Sequence, residues 1–125
     1  MATSQFKLIA KSIKDRHEEI NRRALIAVSR RIILKTPVDT GNARNGWVFS
    51  FSGSESPEDD ALKAVVVAIE PMKIGQLGYF LSYVPYIMAL ELGHSKQAPA
   101  GMVRLSVNQW DRIVQKAVRE VRRSR

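Results

Sequence analysis

Apolar residues recur every three or four positions over residues 5–35. Phe6, Ile9, Ile13, Ile20, Ala24 and Ala27, with Leu25 and Val28 alongside, make one face of a helix there. Arg22, Arg23, Arg30 and Arg31 flank that face, and His17 falls within it as a packed or edge-lying histidine. A helix of this length spans about 45 Å, whereas a compact domain of this size has a radius of gyration of about 14 Å. The helix should overhang its own domain, and an apolar overhang is most simply covered by another subunit. The period then shortens to two. Residues 46–52 place Trp47, Phe49 and Phe51 on one side of a strand, and the β-branched run at residues 62–69 predicts a second strand. Residues 79–83 read as a third. Pro85 and Gly93 bracket a short helix that carries Glu91. From about Pro99 the spacing of Val103, Val107, Trp110, Val114, Ala117 and Val121 predicts a C-terminal amphipathic helix. The order implies a single α+β domain over residues 1–125. It has a long N-terminal helix, a small antiparallel sheet of about three to four strands, a short helix and the C-terminal helix.

The connections carry most of the local chemistry. Residues 36–47 close the first helix, because Pro37 lacks an N–H and forces Thr36 out of the helical region. Asp39 or Thr40 can then cap a short following turn, and Gly41 tolerates backbone angles closed to other residues. Arg44 and Trp47 end the block, and Trp47 is expected to bury against the first or the last helix. Residues 53–61 are acidic and rich in turn formers, which predicts a solvated loop without a core residue. Residues 72–78 contain two glycines and no period, which predicts a flexible connection.

Two of these segments resemble a known family. TPVDTGNAR followed by GW (Thr36, Pro37, Val38, Asp39, Thr40, Gly41, Arg44 and Trp47) is the first. VPYIMALELGHSKQAPAGMVR (Pro85, Tyr86, Glu91, Gly93, Pro99 and Gly101) is the second. Together they resemble the signature segments of the small neck or tail-completion proteins of lambdoid-type tailed bacteriophages. Ile87 stands where that pattern more often has alanine. The resemblance implies a virion protein of the head–tail junction, made in the host cytoplasm, with no cofactor and no enzymatic activity. From the sixfold symmetry of related tails it implies a homo-oligomeric ring of six copies, or six copies decorating one. The partners implied are the tail terminator, head-closure or tail-tube proteins, with possible contact to passing DNA. Arg22, Arg23, Arg30, Arg31, Tyr86 and Glu91 are the candidate interface residues. Pro37, Asp39, Thr40, Gly41, Arg44, Trp47, Gly93 and Pro99 are the structural signature, within which Arg44 and Glu91 could form a charge-assisted pair.

Composition changes the picture in one respect. The chain of 125 residues has a formal charge of +8, and that charge is uneven. Residues 1–36 carry nine basic and three acidic side chains, residues 37–70 two and six, residues 71–99 two and one, and residues 100–125 seven and two. Basic ends around an acidic middle suit head-to-tail contact between copies, or contact with nucleic acid along the terminal helices, which is the alternative reading. No apolar run reaches the roughly 18 residues of a membrane span, and the first residues lack the apolar core of a signal peptide. With no cysteine there is no disulfide or thiolate site. Neither phosphate-cradling nor hydrolase-elbow motifs occur. The two histidines, His17 and His94, do not make a metal site, and Glu70 with Lys73 lacks the further carboxylate that a nuclease requires.

Overall fold

The computed structural model describes residues 2–36, 42–53, 57, 60–84, 87, 91–92 and 101–123. It is organised around a helix of 34 residues, α1 (Ala2–Lys35). A one-turn helix α2 (Asn42–Asn45) leads into strand β1 (Trp47–Ser50). Helix α3 (Ala61–Ile69), strand β2 (Tyr79–Ser82) and two further helices, α4 (Met102–Val107) and α5 (Trp110–Arg123), follow. The fold is therefore mixed, with helices against a small antiparallel sheet. Among the described residues that sheet has two strands rather than three or four, in the register Trp47↔Ser82, Val48↔Leu81, Phe49↔Phe80 and Ser50↔Tyr79.

The missing strand is α3. Its β-branched run reads as a strand by propensity, but Ala61, Val65 and Ile69 are all buried, and their four-residue spacing makes one helical stripe. The turn is opened by Asp60, whose side chain accepts from the Lys63 N–H at 3.3 Å, a cap worth about 1 kcal/mol. Burial and capping together outweigh a propensity scale that spans only about 1 kcal/mol. The acidic segment before it is also more than a solvated loop. Ala61 is fully buried, and its N–H donates to Asn45 Oδ1 at 3.2 Å.

The C-terminal pattern is likewise corrected. Where one helix was expected, α4 and α5 are separated at Asn108 and Gln109, whose amides donate to Arg104 and Ser106 carbonyls at 3.0 and 3.2 Å. The break resets the phase of the buried face. Met102 and Ser106 are buried on α4, and Ile113, Ala117 and Val121 on α5. Val107 and Trp110, placed on the apolar stripe by spacing, are 53% and 37% exposed instead.

The core forms on both flanks of the second half of α1. On one flank Ile32 and Ile33 join Trp47, Phe49, Ala61, Val65, Ile69 and Met102. On the other, Ala24 meets Ile113 and Ala117, with Ile20, Val28 and Val114 at the margin. The first half of α1 has no such cover. Between residues 5 and 17 every described side chain is exposed except half-buried Ser12, and Leu8, Ile9 and Ile13 remain 68%, 59% and 52% accessible.

Candidate subunit interface and the joints that frame it

Helix α1 ends with backbone carbonyls that have no intrahelical donor. Arg44 supplies two, its Nε donating to the Thr36 carbonyl at 2.9 Å and its Nη2 to that of Leu34 at 2.8 Å. A cation at a helix C-terminus is also favoured by the helix dipole. Thr36 completes the joint. Its hydroxyl donates to the Ile32 carbonyl at 2.8 Å and accepts from the Trp47 indole Nε1 at 3.0 Å. Trp47 itself stacks on Phe80 with ring centroids 4.7 Å apart and planes 4° off parallel. The described part of the first signature segment thus welds the end of α1 to both strands.

Glu91 does the corresponding work at α4. Its Oε1 accepts from the Val103 N–H at 2.8 Å, and its Oε2 from the Arg104 N–H at 3.1 Å and from Arg104 Nε at 3.0 Å. Arg104 Nη2 returns a bond to the Glu91 carbonyl. A carboxylate at a helix N-terminus satisfies unpaired amides and meets the positive end of the dipole. The expected pair between Arg44 and Glu91 does not form. Each finds a helix terminus instead, where backbone groups that would otherwise lack partners make the stronger demand. Arg104 is the partner that sequence reasoning missed, and its place three residues after Gly101 is the only hint of it.

Of the candidate interface arginines, two are engaged within the chain. Arg22 donates to Glu19 and to the carbonyls of Glu70 and Met72, anchoring the turn after α3. Arg23 bridges Glu19 on α1 at 2.8 Å and Glu120 on α5 at 2.9 Å. The Arg23 hydrogen bond holds the Glu19 carboxyl below the ordinary carboxylate range against the opposing effect of burial, and the same two acids raise Arg23. Arg30 and Arg31 form no ion pair among the described residues. Pro37, Asp39, Thr40, Gly41, Tyr86, Gly93 and Pro99 lie outside the described residues. Among those described, no three acidic or histidine side chains gather as a metal site, and no helix is long and apolar enough to cross a membrane.

These joints leave two surfaces without an internal role, the projecting half of α1 and the basic channel between α1 and α5. Comparison of the chain with family models, with curated proteins and with solved structures finds no match.

Proposed function

We propose that the chain is a non-enzymatic structural subunit of a phage head–tail junction, which forms or decorates a ring that completes the tail and lets it join a filled head. The observation that carries this reading is the uncovered apolar row on α1. Leu8, Ile9 and Ile13 project from a rigid arm whose first sixteen residues extend about 24 Å, beyond a domain core already complete without them. Fully burying a side chain of this kind is worth about 1.5–3 kcal/mol, so covering the three exposed fractions on a neighbour yields several kcal/mol per arm. The proposed neighbours are further copies of the chain in the ring and the tail-terminator, head-closure or tail-tube proteins. The resemblance of the two signature segments supports the phage setting, and the joints at Thr36 and Glu91 give those residues a reason to be there: the first fixes the end of α1 against the sheet, and the second fixes the start of α4.

The test is removal of residues 1–17. The shortened chain should fold with an unchanged core, since none of the buried residues described is lost, yet fail to join tails to DNA-filled heads in a mixing assay scored by infectious particles. Normal joining by a folded, truncated chain would remove the arm as the assembly element. Substituting Leu8, Ile9 and Ile13 together by serine should give the same loss without shortening the helix.

A further inference from the structure

Helices α1 and α5 lie side by side, and between them runs a groove of about 360 Å³. Its floor is apolar, made by Ala27, Ile113 and Ala117, and its walls are cationic, with Arg31 on α1 facing Arg112, Lys116 and Arg119 on α5. A shallower depression continues it along α1, where Arg30 and Lys35 join Arg31. The acid that lines the groove, Glu120, is already neutralised by Arg23 at 2.9 Å. Arg30, Arg31, Lys35, Arg112, Lys116 and Arg119 take part in no ion pair among the described residues. Residues 112, 116 and 119 follow the four-and-three spacing of a single helix face, as 31 and 35 do. Like charges at that spacing repel and weaken an isolated helix. Folding alone gives no reason to collect around one channel six cations that form no ion pair among the described residues.

We propose that this groove binds the phosphate backbone of nucleic acid without reading its sequence. Three observations select that occupant. Four of the six cations are arginines, whose planar fork holds two phosphate oxygens at once. The cations on α5 span about 10 Å along the axis, the rise of about three phosphates of one strand, and the α1 wall adds contacts from the other side. Among the described residues the lining has no aromatic ring on which an unpaired base would stack, so the duplex backbone is the better fit. A second copy is the poorer occupant: it could offer only its acidic segment at residues 37–70, a local excess of four acids, while each copy keeps a formal charge of +8 and the copies repel at long range. The site stands independently of the arm on α1, which lies at the other end of the same helix.

The test uses the full chain with a short fluorescein-labelled DNA duplex, followed by anisotropy between about 50 and 200 mM KCl. Four phosphate contacts give a slope of log affinity on log salt of about −3.6, which is an affinity loss of about 150-fold over that range. The double variant Arg112→Gln, Arg119→Gln should roughly halve the slope and reduce the loss to about 12-fold. The control pair Lys7→Gln, Lys11→Gln removes the same charge from the projecting arm and should leave the slope within half a unit of the parent. Equal losses in the two double variants would show diffuse attraction rather than a site and would overturn the proposal, as would a duplex affinity indifferent to salt. If the groove variant instead changes the sedimentation mass of the chain while duplex affinity stays constant, the groove is a contact between copies and the nucleic-acid assignment fails. All the substituted side chains are exposed, so the melting temperature serves as the check that each variant is folded.

Discussion

Replacing Trp47 by alanine is expected to lower stability by about 3–5 kcal/mol, which with a urea m-value of about 1–3 kcal/mol/M moves the unfolding midpoint by more than 1 M. The indole is 6% exposed and sits where three elements meet: the Ile32–Ile33 end of α1, strand β1, and β2 through the stack on Phe80. Its removal leaves a cavity bordered by both strands and the helix, and a two-stranded sheet has little independent stability with which to close it. Trp47→Phe separates the contributions. It keeps a ring against Phe80 and loses the bond to Thr36, whose hydroxyl still donates to Ile32. That change should cost about 1 kcal/mol, plus the smaller ring's lost packing. An alanine variant with the parent midpoint would show that the tryptophan is not part of the core.

Gly101→Ala is the second large effect, at about 2–4 kcal/mol for combined backbone strain and steric overlap. Gly101 has φ 83° and ψ 148°, a region that side-chain-bearing residues rarely enter. A β-carbon there would stand 2.5 Å from the Glu91 carbonyl oxygen, 2.7 Å from its Oε2 and 2.9 Å from Arg104 Nε. The first of these is backbone and cannot swing aside. Relief would have to come from separating Glu91 from α4, and the amides of Val103 and Arg104 would lose their acceptor. Glu91→Gln should be milder, since an amide oxygen still accepts one of those bonds but no longer carries the charge that holds Arg104. Thermal unfolding checks the order: the Gly101 variant should melt lowest, the Glu91 variant between it and the parent. A Gly101→Ala chain that melts within two degrees or so of the parent would mean that the clamp contributes nothing to the fold.

The elements read correctly from sequence are those whose signal is long or whose boundary is chemical. The first helix declared itself over some eight turns, and Thr36, before a proline, marked its end. The strands at Trp47 and Tyr79 announced themselves by aromatic content. Misreading began where a short segment carries conflicting signals. In α3 the valines favour an extended chain, while Asp60, three alanines and the four-residue spacing of buried positions favour a helix, and only the packing against α1 and β1 decides. The break at Asn108 escaped because periodicity is blind to a two-residue turn that leaves helical pattern on both sides. In the signature segments the residues were legible as a pattern, but their structural work was not. Arg44 and Glu91 were paired on charge alone, whereas each is held by unsatisfied backbone at a helix end, a partner that no side-chain pattern displays. The basic groove was invisible for the same kind of reason. Its two walls are about eighty residues apart in the chain and become a channel only through the packing of α1 on α5.

The division of α1 into a packed half and a projecting half has a consequence for how the projecting half stays ordered. Starting a helix in water is costly, with a nucleation constant of about 10⁻³, whereas extending one costs little, with propagation near 1–1.6 per residue for good helix formers near 0 °C. The packed half, fixed by Ala24, Ile32 and Ile33, acts as a permanent nucleus, so the outer half grows from it without ever meeting the nucleation barrier. Its helicity then rests on propagation alone, residue by residue, and should fray from the tip as temperature rises, well before the domain melts. Amide exchange should register this as protection that climbs from the tip towards Glu18 and reaches the global value only within the packed half. An arm built this way loses little chain entropy when a partner covers it. Ser12→Ala, which strengthens propagation without touching the apolar row, should tighten capture of that partner.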